Sequence, residues 1–445
     1  MVSIYFAIIG FVSALPFIKN NLDLFKLGSL SLSGIIRAAM LPALFLYLIT
    51  PSKKKKNSHN VNVLLIGTSG MLLWCLVQNV FISPTEFTRG LRGLGDFLVC
   101  WSILLCGLIK INYQNAKYAI RIVPSVMAIF FIAIFIQYPF VIAKAWSGFK
   151  EILVNYSRGN KEIHSFIFNF ANEESTLLVA AYPFAVKMFF KKNKTLNIIL
   201  TRIISCILIF FLYCNQSRTA LFIAFPMVLI LLNYQLETKK IIALFILAFV
   251  CWISFEFLIQ KIIQYGFSKE MEGAGGFNYR IHKLWLPALE YTFKNAPFWG
   301  FGANSWLYIH DQTGLFVEHA SSASKEAAIL PGYNVWILGP HSNFVYVLTS
   351  WGIVGLSIYL AIFLKLFITA YKLTSSRFKE IRNLARIGLS SMSALLCYNI
   401  INNPHEAGWF FFVLVVLYLI SLETLQWCMD TMSRNKIYYS ATEEP

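Results

Sequence analysis

The sequence predicts an all-α integral membrane protein of about twelve transmembrane helices, with a large loop subdomain that contains amphipathic helices. Composition is the first observation behind this class, because 57% of the 445 residues are apolar and only 13% are charged. Soluble domains are about half apolar and about a quarter charged. The composition therefore excludes a soluble domain and a disordered chain. The second observation is that the apolar residues gather in runs of membrane-spanning length.

A membrane-spanning helix needs about 20 mostly apolar residues. The runs that approach this length are 2–17, 31–50, 61–82, 93–110, 121–143, 176–190, 195–214, 219–235, 241–263, 342–370, 384–402 and 408–427. They predict transmembrane helices 1–9 in residues 1–263, a loop subdomain in 264–340, transmembrane helices 10–12 in 341–427 and a tail in 428–445. The first run has no basic segment before it and no A-x-A cleavage site after it. We interpret it as a retained span rather than a signal peptide.

The basic residues predict the orientation of the helices. Lysine and arginine exceed aspartate and glutamate by 17, and such an excess collects in cytoplasmic loops rather than on a nucleic-acid-binding surface. If Met1 lies in the cytoplasm, every strong basic cluster falls on that side. The clusters are Lys53 to Lys56; Lys110, Lys117 and Arg121; Lys191, Lys192 and Lys194; Lys239 and Lys240; and Lys372, Arg377, Lys379 and Arg382. Both termini are therefore expected in the cytoplasm, and segment 264–340 on the outer side.

Segment 264–340 is longer than an ordinary connection and predicts a functional outer subdomain. Apolar residues recur at helical spacing from Ile281 to Phe293, which predicts an amphipathic helix on the membrane surface or over the bundle. The sequence Gly300-Phe301-Gly302 follows Pro297 and predicts a tight turn.

Three residues at span boundaries on the outer side are candidates for a functional site. Arg218 precedes the span at 219–235, at a helix N-terminus that disfavours cations, which indicates an anionic ligand or a snorkelling arginine. Arg280 begins the amphipathic segment. His341 is expected in the first turn of the next span, where the helix dipole favours the neutral imidazole that a general base requires.

The sequence predicts no cofactor. It contains no G-x-x-x-x-G-K-[ST] loop for ATP and no H-E-x-x-H or i,i+4 histidine pair for a metal ion. The eight cysteines lie in or beside apolar runs without the spacing of a zinc site.

Three parts of the sequence resemble motifs of the O-antigen ligase/polymerase superfamily. Residues 214–221, CNQSRTAL, resemble its S-R-x-A-L element. Residues 279–285, followed by 295–302 (NAPFWGFG), resemble its R…W…NP-x-x-G-x-G segment. Residues 339–343 (GPHSN), followed by 351–356 (WGIVGL), resemble its P-H-N-x-x-L…G-x-x-G-L signature. Ser342 separates the histidine from the asparagine, which are adjacent in many members, and this departure leaves the role of Asn343 open.

The resemblance covers residues 170 to 425 and implies a multi-spanning enzyme of the bacterial inner membrane with a periplasmic active site. Such enzymes transfer a glycan from an undecaprenyl-diphosphate carrier. The acceptor is the lipid A–core oligosaccharide in the ligase branch and another carrier-linked repeat unit in the polymerase branch. The motif spacing resembles the ligase branch more closely, and a protein O-oligosaccharyltransferase stays open.

The chemistry of such a transfer suggests roles for individual residues. His341 is the expected general base, and Arg218 and Arg280 are expected to bind the donor diphosphate through bidentate hydrogen bonds. Arg37, in the outer half of its span, is expected to join that site. Glu406 is expected to orient His341 or a sugar, although a solvated loop glutamate is the alternative.

A lipid-linked sugar transporter is the alternative from another class of protein. About twelve spans suit a transporter as well as an enzyme. Transporter sites usually lie near the membrane midplane at broken helices, whereas the candidate residues of this sequence lie at one face beside a long loop. This placement favours the enzyme.

The orientation predicts where reporter fusions are active. A reporter fused after Lys56 or Lys240 should be active only as a cytoplasmic fusion, because both sites follow basic clusters. The measurement is the activity of paired periplasmic and cytoplasmic reporters at each site. Periplasmic activity at either site would contradict the topology and the placement of the active site.

Overall fold

A computed structural model describes most of the chain, in residues 2–15, 18, 22, 24–27, 30–50, 58–83, 87–146, 171–189, 194–214, 219–233, 280–303, 305–313, 342–401 and 406–442, with isolated residues between 240 and 254. Helices dominate the described residues, as the sequence predicts. A short antiparallel pairing of Lys26–Leu27 with Leu30–Ser31 was not expected.

The helices are numbered along the chain in the order in which the structure describes them. They are α1 (Val2–Ala14), α2 (Leu32–Ile49), α3 (His59–Val77), α4 (Phe87–Ile109), α5 (Tyr113–Trp146), α6 (Ala171–Phe189), α7 (Lys194–Cys214), α8 (Phe225–Asn233), α9 (Leu286–Asn295), α10 (Trp306–Thr313), α11 (Asn343–Leu373), α12 (Lys379–Ile401) and α13 (Glu406–Thr442). Three π-helical segments adjoin α3, α8 and α9. These segments are Gln78–Ile82, Ala220–Ala224 and Arg280–Trp285.

The described residues include five helices that are long and apolar enough to cross a membrane. They are Leu32–Ile49, Asn60–Ile82, Tyr113–Ala133, Asn343–Leu373 and Ala407–Ser433. Shorter apolar helices occur at Val2–Ala14, Leu94–Ile109, Ser175–Lys187, Ile199–Leu212 and Ala220–Leu232. Each predicted run coincides with one of these helices or with α12, except the run at 241–263, which lies mainly outside the described residues. The protein is therefore a multi-pass membrane protein, and the number of crossings stays a prediction.

Helix α13 forms the centre of the bundle. It packs against α1, α4, α5, α11 and α12, and its residues from 407 to 425 are all buried. A helix that is apolar on every side suits the interior of a bundle or the lipid of a membrane, and its burial places α13 in the interior. The helix ends at Thr442, so most of the segment predicted as a tail after residue 427 continues α13. Glu406 is the first residue of this helix rather than part of a loop, and a helix N-terminus favours an acidic residue there.

Helix α11 is broken at Gly352. This residue has φ 66° and ψ −170°, a backbone conformation that is essentially restricted to glycine. The break divides α11 into a short segment, 343–351, and a long segment, 353–373. A segment of nine residues is about 13 Å long and cannot cross a bilayer core of about 30 Å.

The short segment of α11 folds back along the long one. Asn343 Nδ2 lies 3.3 Å from the Tyr359 hydroxyl, although an unbroken helix would separate residues 16 apart by about 24 Å. The rings of Phe344 and Phe363 also lie close, with centroids 6.3 Å apart. The prediction of one continuous span at 342–370 is therefore wrong for its first turns. The cause is Gly352, whose conformation ends the short segment.

We expect one added methyl group at Gly352 to lower the stability of the protein strongly. A Cβ atom at Gly352 would lie 2.2 Å from the Phe298 carbonyl oxygen. Gly352→Ala should therefore lower the stability of the protein by about 3 kcal/mol, since both the backbone conformation and this contact oppose a side chain. The measurement is thermal unfolding in detergent, together with the amount of protein in the membrane.

Gly70→Ala is the matched control, because a Cβ atom at this helical glycine meets nothing within 4 Å. It should be neutral or stabilise the helix by up to about 1 kcal/mol. Equal stability of the two alanine variants would contradict the role of the break.

Candidate active site

The turn after α9 has the conformation that its glycines predict. Ala296 donates its N–H to the Thr292 carbonyl at 2.8 Å and ends the helix. Gly300 and Gly302 follow with φ values of 68° and 93°, which residues with a side chain rarely adopt. The two glycines that determine the conformation of the turn 296–302 thus belong to the segment that resembles the NP-x-x-G-x-G element.

This turn fills the break in α11. Phe301 and Gly302 donate their N–H groups to the carbonyls of Thr349 and Ser350 at 2.9 and 2.7 Å. In the opposite direction, Ile353 donates to the Pro297 carbonyl at 2.9 Å. A broken helix leaves backbone groups without intrahelical partners, and unpaired groups are costly within a membrane protein. The turn and the break therefore depend on each other.

The end of α3 holds the turn from the other side. Asn79 Oδ1 accepts a hydrogen bond from the Ala303 N–H at 2.7 Å, and the Ser83 hydroxyl donates to the Phe301 carbonyl at 2.8 Å. Asn79 lies in the π-helical segment Gln78–Ile82, and such segments are frequent at functional sites. Trp74 donates its indole N–H to the Trp351 carbonyl at 2.9 Å. Three separate parts of the chain therefore meet at Gly352.

Helices α9 and α10 form a small hydrophobic core beside the break. Its buried members are Leu284, Ala288, Ala296, Phe301, Trp306, Ile309 and Val345. The amphipathic helix predicted in this region is confirmed, although Phe293 is 49% exposed rather than packed. Burial and the neighbouring Tyr308 hydroxyl raise the pKa of Tyr291 to about 12, so that this tyrosine stays neutral. Val345 in this core links the α9 region directly to the short segment of α11.

Ser342 is the N-cap of α11. Its hydroxyl oxygen accepts a hydrogen bond from the Val345 N–H at 3.4 Å, and its backbone is extended. The first turn of α11 therefore begins after His341, which was expected in that turn and lies outside the described residues.

A buried polar network lies at the start of α11. Asn343 donates from Nδ2 to Asn399 Oδ1, and the Tyr359 hydroxyl donates to the same oxygen at 2.7 Å. Asn399 in turn donates from Nδ2 to the Leu395 carbonyl at 2.7 Å. Sequence analysis did not single out Tyr359 or Asn399. An amide within the apolar run 384–402 was the one available signal, because polar groups within spans usually face the interior.

Arg37, the one predicted site residue whose side chain the structure describes, forms an ion pair. Its Nη1 atom lies 2.7 Å from Asp96 Oδ1, and the two side chains are 9% and 17% exposed. Nη2 also donates to the Ser13 carbonyl at 3.4 Å. The pair joins α1, α2 and α4 inside the bundle. A place for Arg37 in the diphosphate site stays a prediction.

The other predicted site residues are described only in part. Arg218 and His341 lie outside the described residues. Arg280 begins the π-helical segment before α9, and Glu406 begins α13; their side chains lie outside the described part of the structure.

The structure does bring two of the three motifs together. The NAPFWGFG turn is hydrogen-bonded to the WGIVGL segment of α11, as described above. Helix α12 contacts α11 and also the segment Ala220–Ala224, whose first two residues end the CNQSRTAL motif.

Comparison with protein families confirms the resemblance. The family described as O-antigen ligase matches residues 203–360, about a third of the chain. The match includes all three motifs, and with them Arg218, Arg280 and His341. No curated protein matches the chain.

The described residues form a multi-pass bundle of apolar helices in which the turn 296–302 packs against the broken helix α11. Within this protein, residues 203–360 are similar to the family described as O-antigen ligase.

The ion pair of Arg37 and Asp96 predicts that removing one partner lowers the stability of the protein and that replacing both restores it. Asp96→Ala should destabilise the protein by about 3 kcal/mol, because it leaves a buried arginine without its carboxylate. The double variant Arg37→Leu, Asp96→Leu should recover most of this loss. Thermal unfolding in detergent measures both effects, and an Asp96→Ala protein as stable as the wild type would refute the structural role. A stable double variant that has lost glycan transfer would place Arg37 in the donor site.

Proposed function

We propose that this protein is an O-antigen ligase-like glycosyltransferase. It moves a glycan from an undecaprenyl-diphosphate carrier to the lipid A–core oligosaccharide, on the periplasmic side of the bacterial inner membrane. The observation that supports the proposal best is the family match over residues 203–360. The docking of the glycine turn on α11 adds support, because it joins the motifs that carry Arg280 and His341 in one structural unit.

The donor chemistry suits two arginines and requires neither a metal ion nor ATP. A guanidinium group binds phosphate oxygens through two parallel hydrogen bonds and keeps its charge. In our proposal Arg218 and Arg280 neutralise the diphosphate as the bond between it and the anomeric carbon breaks. The carrier diphosphate is a good leaving group. Cleavage of the bond between it and the glycan supplies the driving force.

The acceptor chemistry requires a base. The acceptor hydroxyl loses its proton as its oxygen attacks the anomeric carbon, and His341 takes that proton in our proposal. A single displacement of this kind inverts the anomeric configuration. Two catalytic carboxylates, which glycoside hydrolases use, are not required. Glu406 is assigned no more than an orienting role.

Two other functions compete with this proposal. A polymerase or a protein O-oligosaccharyltransferase would use the same donor with a different acceptor. A lipid-linked sugar transporter gains support from the break at Gly352, since discontinuous helices often line transport sites. The break is filled by a hydrogen-bonded turn, however, and the family match favours a transferase.

Deleting the protein distinguishes these functions through the lipopolysaccharide of the cell. Loss of capped core together with accumulation of carrier-linked polymer supports a ligase. Core that carries a single repeat unit supports a polymerase. Accumulation of carrier-linked glycan on the cytoplasmic side would contradict both and support a transporter.

The base assignment predicts the effect of changing His341. His341→Ala should abolish transfer while the protein stays folded and binds the donor, because general-base catalysis contributes about two to four orders of magnitude. Transfer by the wild type should slow at acid pH, since a protonated imidazole cannot accept a proton. The measurement is transfer by purified protein in detergent or liposomes.

Changes to other histidines serve as controls for this prediction. His310→Ala and His319→Ala should have mild effects. A His341→Gln variant with near wild-type transfer would end the catalytic assignment and leave the arginine assignment intact.

The arginine assignment predicts that charge alone is not sufficient. Arg218→Lys and Arg280→Lys should each impair transfer, because lysine keeps the charge but cannot form two parallel hydrogen bonds. The measurement is the rate of transfer at matched protein levels, with Arg202→Lys as the control, since Arg202 is an exposed arginine on α7. Full activity of both site variants would reduce these arginines to surface charges.

A further inference from the structure

The hydrogen bonds around Asn343 fix the orientation of its amide. Asn399 Nδ2 is bonded to the Leu395 carbonyl, so Asn399 presents Oδ1 as the acceptor. The Tyr359 hydroxyl and Asn343 Nδ2 both donate to this oxygen. Rotating the Asn343 amide by half a turn would bring two amide oxygens together, which is repulsive. The Oδ1 atom of Asn343 must therefore point away from the network.

That oxygen has no partner in the described part of the chain. Asn343 is 2% exposed, and nothing among the described residues donates to its Oδ1 atom. A buried acceptor is normally satisfied. An acceptor that is rigidly held and has no partner among the described residues indicates a group that binds there.

The neighbouring backbone indicates what kind of group this is. Asn343 begins the short segment of α11, and the first N–H groups of a helix have no intrahelical partners. Ser342 caps only the N–H of Val345 by its hydroxyl. The same helix terminus thus presents N–H donors and, in Asn343 Oδ1, an acceptor. A hydroxyl group both donates and accepts and fits this pair, whereas a fully ionised phosphate could not donate to the amide oxygen.

We propose that Asn343 binds a hydroxyl group of the glycan, with Tyr359 and Asn399 as the residues that position its amide. This inference rests on the proposed function and assigns a sugar site separate from the arginines that bind the diphosphate. Asn399 lies outside the segment that matches the family, 203–360. It nevertheless contacts Asn343, which lies within that segment.

Two ligands separate sugar binding from diphosphate binding. One is undecaprenyl diphosphate, and the other is the glycan-bearing carrier lipid extracted from cells that lack this protein. Each should raise the unfolding temperature of the purified wild-type protein, and the glycan-bearing lipid should raise it further. Asn343→Ala should keep the shift with undecaprenyl diphosphate and lose the additional shift that the glycan provides.

Two further variants keep the test independent of folding defects. Tyr359→Phe, which removes one hydroxyl from the network, should reduce the additional shift in part. Tyr418→Phe is the matched control, because Tyr418 is equally buried and its hydroxyl bonds only the Leu384 carbonyl among the contacts described. This control should keep both shifts.

Three outcomes would overturn the inference. If Asn343→Ala and Tyr359→Phe keep the full additional shift, Asn343 does not bind the glycan. If these variants lose both shifts equally, the network is only structural. A wild-type protein that binds neither lipid would contradict the proposed function itself, and the inference with it.

Discussion

The break at Gly352 is the constraint on which the rest of the site depends. It exposes backbone groups of α11 inside a membrane protein, where unpaired groups are costly, and the turn 296–302 supplies their partners. The turn needs glycine at positions 300 and 302 because of their positive φ angles. Glycine 352 is needed for the same reason. The glycines of two distant motifs are thus explained by one contact.

This contact also gives the short segment of α11 its direction. With the predicted orientation, Gly352 lies at the outer end of the long segment of α11. From Gly352 the short segment, 343–351, returns into the bundle, where Asn343 contacts Tyr359. Ser342 and Asn343 therefore lie where the chain enters a half-helix rather than at the start of a full span. A half-helix terminus among other helices offers backbone donors in a place shielded from water, which suits the binding of a polar substrate at a membrane.

Much of the fold could be predicted from sequence, and the arrangement of the site could not. Apolar runs located the helices, because their length depends on bilayer thickness, and the glycines after Pro297 located the turn. The break was missed because Gly352 lies within an apolar run, where hydropathy does not reveal a backbone angle. The partner of Arg37 was missed because Asp96 is 59 residues away in sequence. Asn399 was missed because its function depends on a contact across two helices.

Chemical cross-linking tests the folded-back segment most directly. Cysteines replace Phe344 and Phe363 in a protein without other cysteines, and a short, rigid bismaleimide is added to membranes. The account predicts efficient cross-linking within one chain, because the two rings lie 6.3 Å apart between centroids. A pair with the same sequence separation on the continuous helix α13 should not react. If the pair on α11 reacts no better than this control, α11 is a continuous helix and the account of the site is wrong.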